Sequence, residues 1–208
     1  MTPTPIIHRT QRRSGRTRRN MPARARSVSV MSQVFVLQNA LDPEDRGAVI
    51  DEQYRYLLWR RTGEIGGKVV FVMLNPSTAD HAVDDPTIRR CMEFAKRWGY
   101  KRLEVVNLFA YRATDPKKLG EARKAGIDVV GPQNDEFIRT LLGTADQIVM
   151  AWGAQRGDFI KDRIRAIRWM VRQSEAITEK CKTLGWTKNG QPRHPLYVKT
   201  DTALELWW

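Results

Sequence analysis

The stretch Lys68-Val69-Val70-Phe71-Val72-Met73-Leu74-Asn75-Pro76-Ser77-Thr78-Ala79-Asp80-His81-Ala82-Val83-Asp84-Asp85 decides the fold class. It opens as an apolar, β-branched run and breaks at Asn75-Pro76 into short polar and acidic residues. A run of that length and composition reads as a strand buried on both faces. Asp85-Pro86-Thr87 then places a capping residue before a proline at the first helical position. Ile88, Cys91, Met92, Ala95 and Trp98 recur at helical spacing, with Arg89, Arg90, Glu93, Lys96 and Arg97 mostly opposite, and Gly99 closes the helix. Residues 103–109 form the next expected strand. Strand, loop, helix, strand is the pattern of a parallel crossover. Open α/β sheets hold their ligands at the carboxyl ends of such strands, so the loop after Leu74 is a candidate site from the outset.

Upstream, residues 34–37 and the aromatic-rich 54–61 read as strands. Residues 39–51 read as a loop with a turn at Asp42-Pro43. Glycines in 62–67 turn the chain into Lys68, so 54–61 and 68–74 are expected to pair as antiparallel neighbours. Downstream, 110–118 is a second polar loop. Gly131-Pro132-Gln133-Asn134 is expected to open a helix through about Leu142, followed by a strand over 147–152 and a long helix over about 157–174. A last core strand is expected within 177–184, a polar turn at Asn189-Gly190, and a short helix ending in Trp207-Trp208. This alternation predicts a three-layer α/β/α sandwich around a short, mainly parallel sheet.

The gross numbers agree with a folded globule. The chain has 208 residues, 41% of them hydrophobic, with seven tryptophans. No run approaches the roughly 18 apolar residues of a membrane span. Two scattered cysteines, Cys91 and Cys181, read as reduced thiols and suggest a cytoplasmic protein. Net charge is +13, but residues 1–26 hold eight arginines and no acid, and the rest carries 28 basic against 23 acidic side chains. Residues 1–30 are therefore expected to be a basic, disordered arm and 31–208 a single α/β domain. The arm reads as a phosphate-neutralising tail, a transit-like segment, or residues upstream of a true start at Met21 or Met31.

Four polar clusters follow strands: 75–80, 107–115, 153–155 and 189–194. Parallel strands would bring the first three to one sheet edge. Asn75, fixed by Pro76, is placed to hold a water or a polar ligand edge. Ser77 and Thr78 read as cap or anion-binding hydroxyls. Asp80 and His81 are candidate assisting groups, and Asp85 the helix cap. One histidine with these carboxylates supplies too few ligands for a metal, and no motif implies a cofactor. Asn107 ends a core strand, where a buried carboxamide must find partners. Tyr111 is a candidate stacking ring and Arg112 a phosphate binder or a partner of Asp115. Trp152, Gly153 and Gln155 end the third strand, and His194 precedes Pro195 in a rigid loop.

These motifs carry two resemblances. Residues 73–80, 84–90, 107–116, 151–153 and 190–197, in that order, resemble a bacterial and phage family of domains of unknown function over about residues 50–200. The same order is distantly similar to the uracil-DNA glycosylase superfamily. That likeness implies a three-layer sandwich in which an Asn-Pro corner orients the hydrolytic water, matched by Asn75-Pro76. It implies an Asn that reads the base, matched by Asn107, and a Trp-Gly strand end followed by Gln, matched by Trp152, Gly153 and Gln155. It also implies a His-Pro loop that stabilises the departing base, matched by His194-Pro195. Met73-Leu74 stand where that superfamily has a glycine, and Leu196 replaces its serine. The expectation is a glycosylase-like hydrolase acting on a nucleobase in DNA or in a nucleotide. The alternatives are a non-catalytic nucleic-acid or nucleotide-binding module on the same fold, and a small-metabolite hydrolase.

Overall fold

Residues 68–73 become β3 (Lys68–Met73), the middle strand of a seven-stranded mixed sheet ordered β1-β2-β4-β3-β5-β6-β7. The computed structural model describes residues 45–77, 79, 82–115 and 117–208. The expected strand at 34–37 and the basic arm lie outside them. The described residues belong to one compact unit, Pro43–Trp208.

The other strands are β1 (Arg46–Asp51), β2 (Tyr54–Arg61), β4 (Arg102–Asn107), β5 (Gln147–Met150), β6 (Cys181–Thr183) and β7 (Glu205–Leu206). β4, β3, β5 and β6 run parallel, and antiparallel strands flank them on both sides. β3 pairs with β4 from Lys68↔Arg102 to Met73↔Asn107, and with β5 from Val69↔Gln147 to Val72↔Met150. All three strands therefore end together, and the loops after them share an edge. Val69 to Met73 are all buried, as the unbroken apolar run requires.

The helices are α1 (Pro86–Arg97), α2 (Lys117–Lys124), α3 (Asn134–Thr144), α4 (Asp158–Arg172) and α5 (Glu175–Lys180). Asp85 caps α1 by accepting the Ile88 N–H at 2.8 Å, with Pro86 at the first position. Ile88, Cys91, Phe94 and Ala95 of α1 pack with Val69, Phe71 and Met73 of β3 and with Leu103 and Val105 of β4 in one core cluster. Strand alternation puts Val70 and Val72, also fully buried, on the opposite face. Trp98 closes the cluster by stacking on Phe71 and Phe94.

The amino ends of β3 and β4 carry a buried charge knot. Glu104 is 1% exposed and pairs with Lys68 at 3.1 Å and Arg102 at 2.8 Å. This fixes register at the end of the sheet away from the strand-terminal loops. The turn before β3 needs its glycine: at Gly66, φ is 106° and a Cβ would lie 2.1 Å from the Gly99 carbonyl oxygen.

Several expectations are corrected. β1 occupies residues placed in a loop, because Ala48 and Val49 pair with Leu58 and Leu57 of β2. β2 does not neighbour β3. It pairs with β4, and β3 lies between β4 and β5. Residues 177–180 are helical, so the core strand there shrinks to Cys181–Thr183. The expected helix before Trp207 is absent. Glu205–Leu206 instead add an antiparallel edge strand to β6. The loop expected to end at Lys118 stops earlier, because α2 begins at Lys117.

Asn134, at the start of α3, is fully buried. Its Nδ2 donates to the carbonyls of Asn107 and Leu108 at 3.0 and 3.1 Å, locking the end of β4. Removing it takes a hydrogen bond from each carbonyl, though Leu108 O keeps the Arg163 Nε–H at 2.6 Å, and each lost bond costs about 0.5–1.5 kcal/mol. Asn134→Ala is expected to lower unfolding free energy by about 2 kcal/mol in urea titration. Thr140→Ala, on the exposed side of the same helix, should change it by less than about 0.5 kcal/mol.

Candidate functional site

The ends of β3, β4 and β5 open into a cavity of about 800 Å³. Met73, Leu74, Asn75 and Ser77 line it from the β3 end, and Asn107 from the β4 end. Trp152, Gly153 and Gln155 line it beyond β5, and His194 from a loop much later in sequence. The backbone holds these ends in step. Leu108 N–H donates to Met73 O at 2.8 Å, Phe109 N–H to Leu74 O at 3.0 Å, and Ala151 N–H to Val72 O at 2.8 Å. The ladder thus continues past the strands into the loops that carry the candidate groups.

Asn75 is half-buried. Its Nδ2 donates to Ala113 O at 2.7 Å and to Pro76 O at 3.1 Å. The amide is thereby oriented, and its Oδ1 is the atom left to accept from an occupant. Asn107 is 1% exposed, and among the described residues its Nδ2 has no hydrogen-bond partner. A buried amide donor in a cavity wall has lost its water and gained nothing, a debit that an acceptor on a ligand would cancel. The indole N–H of Trp152 is in the same condition. Trp152 is held edge-on by Trp207, ring centres 5.8 Å apart.

His194 is oriented by its own turn. Its Nδ1 accepts the Leu196 N–H at 3.3 Å at the start of a 3₁₀ turn, Pro195–Tyr197. An Nδ1 that accepts leaves the proton of the neutral ring on Nε2, so Nε2 is a donor. Burial pushes the imidazole pKa down, against a smaller upward pull from the Asp85 carboxylate. The ring is therefore neutral at neutral pH. It lies close to the end of β5 because Gly153 has no side chain: a Cβ there would sit 3.2 Å from the His194 Cβ, and its φ is 77°. Gly153 N–H also donates to Pro192 O at 3.0 Å. Gln155 and Gln191 add a reciprocal pair, Gln155 N–H to Gln191 Oε1 at 3.1 Å and Gln191 Nε2 to Gln155 O at 2.7 Å.

The acids of the opening stretch have other work. Asp84 accepts from Arg46 and Arg60, each at 2.6 Å. Asp85 lines the cavity but spends one oxygen on the Ile88 N–H and the other on the Ser77 hydroxyl. Among the described residues no three His, Cys, Asp or Glu side chains gather as a metal site would. Cys91 and Cys181 are buried, and burial pushes the Cys181 thiol up to about 12, far from a nucleophilic thiolate.

Of the residues singled out from sequence, the cavity gathers Asn75, Ser77, Asn107, Trp152, Gly153, Gln155 and His194. Pro76, Tyr111 and Arg112 do not line it. Tyr111 bridges to Tyr54 and packs edge-on against its ring, and the Arg112 backbone N–H donates to Gln53 O. Thr78, Asp80 and His81 lie outside the described residues. Sequence reasoning missed Arg55, 2% exposed, which lines the cavity and donates to Ala79 O at 2.5 Å. Its signal was a cation inside a strand that is otherwise buried. It also missed Trp186, Thr187, Lys188 and Arg193, which reach the cavity from the loop after β6.

The chain belongs to the family described as "Protein of unknown function (DUF1643)", whose model matches residues 55–196. No curated protein and no solved structure matches the chain.

Because the fold favours neutral His194, the native state binds fewer protons than the unfolded chain just below the ordinary imidazole pKa of about 6.5. Its contribution to stability is complete above that value and is lost as pH falls toward the lowered one. The wild type should therefore lose more unfolding free energy than His194→Gln between about pH 7 and pH 5. Parallel denaturant titrations check this, and equal losses would remove His194 from the account.

Proposed function

We propose that this family member is a glycosylase-like hydrolase, acting on a nucleobase in DNA or in a nucleotide, on a uracil-DNA glycosylase-like α/β/α sandwich. The observation that carries the reading is the convergence of Asn75, Asn107 and His194 on one cavity, with the Asn107 amide donor unmet. Each is the atom type the reaction asks for. Breaking an N-glycosidic bond sends its electron pair onto the departing base and leaves an oxocarbenium-like sugar. Negative charge then develops on a base carbonyl, and a neutral His194 Nε2–H is a donor suited to it. Asn107 Nδ2 would hold another acceptor on the ring.

The Asn75 carboxamide accepts a hydrogen bond but takes no proton at neutral pH. Its role is to orient water through Oδ1 toward the sugar carbon. Water oxygen bonds to that carbon as the base leaves, and the water proton passes to solvent or to the base anion. Such a late, weakly assisted attack fits a dissociative path that needs no strong base. If the base starts in a duplex it must first leave the stack.

One observation favours a second reading, a non-catalytic nucleotide- or nucleic-acid-binding module. The only carboxylate lining the cavity among the described residues, Asp85, has both oxygens engaged. Incubation with oligonucleotides bearing uracil or modified pyrimidines, and with nucleotides, separates the two. The hydrolase reading expects released base. It also expects a rate loss of about 10²–10³ for His194→Ala and Asn75→Ala, and weakened binding for Asn107→Ala. No base released by folded protein, with binding retained in Asn75→Ala, would leave the binding module.

A further inference from the structure

The cavity is not uniform from floor to rim. Its buried groups, Asn107 and Trp152, are neutral donors without partners among the described residues. Its exposed side carries Lys188 and Arg193, and neither forms an ion pair among the described residues. Among the described residues the carboxylate of Asp85 is the sole acid in the lining, and it is already hydrogen-bonded twice.

The loop that presents these cations is braced. Trp186 and Pro192 form an antiparallel bridge, and Thr187 N–H donates to Gln191 O at 2.8 Å. Gln191 N–H donates to the Thr187 hydroxyl at 3.1 Å, and Arg193 N–H to Gly185 O at 3.0 Å. The Gln155–Gln191 amide pair ties the whole loop to the end of β5. Two cations and the hydroxyl proton of Thr187 are thus held beside the cavity by backbone bonds. Cationic and hydroxyl donors lining one cavity from a single loop are what a phosphate oxygen cluster requires.

We propose that Thr187, Lys188 and Arg193 form an anion subsite at the mouth of the cavity, taking a phosphate monoester on the molecule whose ring the neutral donors hold. The occupant is then a free nucleotide, and neither a bare base nor a nucleoside. This rests on the nucleobase reading above. A nucleic-acid strand would need a track of cations and stacking rings on both sides of the mouth. Among the described residues, the exposed cations of the lining, Lys188 and Arg193, instead both come from one loop, beside a single strongly exposed ring, Tyr197.

Calorimetric titration tests the subsite with four kinds of probe: the common nucleosides, their monophosphates, inorganic phosphate, and a short single-stranded oligonucleotide. At least one monophosphate is expected to bind about tenfold or more tightly than its nucleoside. The doubly substituted Lys188→Ala, Arg193→Ala protein should lose that preference while keeping its ligand-free melting temperature and its nucleoside affinity. Thr187→Val should reduce the preference in part.

Equal affinity for nucleoside and monophosphate, a preference that survives in the double variant, or no binding of any phosphate-bearing probe would overturn the proposal. Tighter binding of the oligonucleotide than of every monophosphate, lost in the double variant, would overturn the monoester and assign the phosphate to a strand. The hydrolase reading fails separately. A phosphate preference that depends on Lys188 and Arg193, with no glycosidic bond cut, keeps the subsite and removes the chemistry.

Discussion

The site depends on the register of β3 between β4 and β5. Because Met73 stands opposite Asn107 and Val72 opposite Met150, three chain segments leave the sheet at the same level. A slip of one residue would invert every side chain on the strand. Such a slip would swap the two packed faces of β3, setting Phe71 on the side where Val70 and Val72 now pack, and would carry Asn75 away from the Asn107 amide. Two devices resist it. The Glu104 knot with Lys68 and Arg102 pins one end, and the backbone bonds from Leu108, Phe109 and Ala151 pin the other. The apolar content of β3 supplies the free energy, and the charges and turns supply the alignment.

The cavity that results is a place of unmet donors. Asn107 and Trp152 are buried with donors unmet among the described residues, and His194 is held in the tautomer that donates from Nε2. Among the acceptors, Asp85 is engaged through both oxygens and Asn75 offers a single one. An occupant rich in carbonyl or anionic oxygens relieves this imbalance, and a cationic one would worsen it. Donors of this kind suit the hydrolysis proposed above, in which negative charge would develop on the bound molecule.

Much of this was legible in the chain. The β3 run, the Asp85-Pro86 cap and the α1 spacing are local signals, and local signals define single elements well. The alignment of the loops at Asn75, Asn107 and Trp152 follows once the strands are parallel. What was hidden is non-local. β1 carries no strong strand pattern of its own and exists because β2 has an edge to pair with. Residues 205–206 pair for the same reason at the other side of the sheet. The pairing of β2 with β4 is set by the crossover and not by chain adjacency. Arg55 and Arg193 were passed over because a cation in a sequence does not say what lies in front of it. Asp84 is a structural counter-ion, a role that only its neighbours Arg46 and Arg60 reveal.

The bracing of the cavity wall has a thermodynamic meaning. Asn107 is locked through its carbonyl by Asn134, the amide of Asn75 is tethered to Ala113, and the His194 loop is stitched to Gly153 and Gln155. None of these groups has to be ordered when a molecule arrives. The conformational entropy of the site was spent during folding, so occupancy should cost little further disorder in the protein. The heat and heat-capacity change of binding would then report the occupant's own desolvation, with little contribution from rearranged chain.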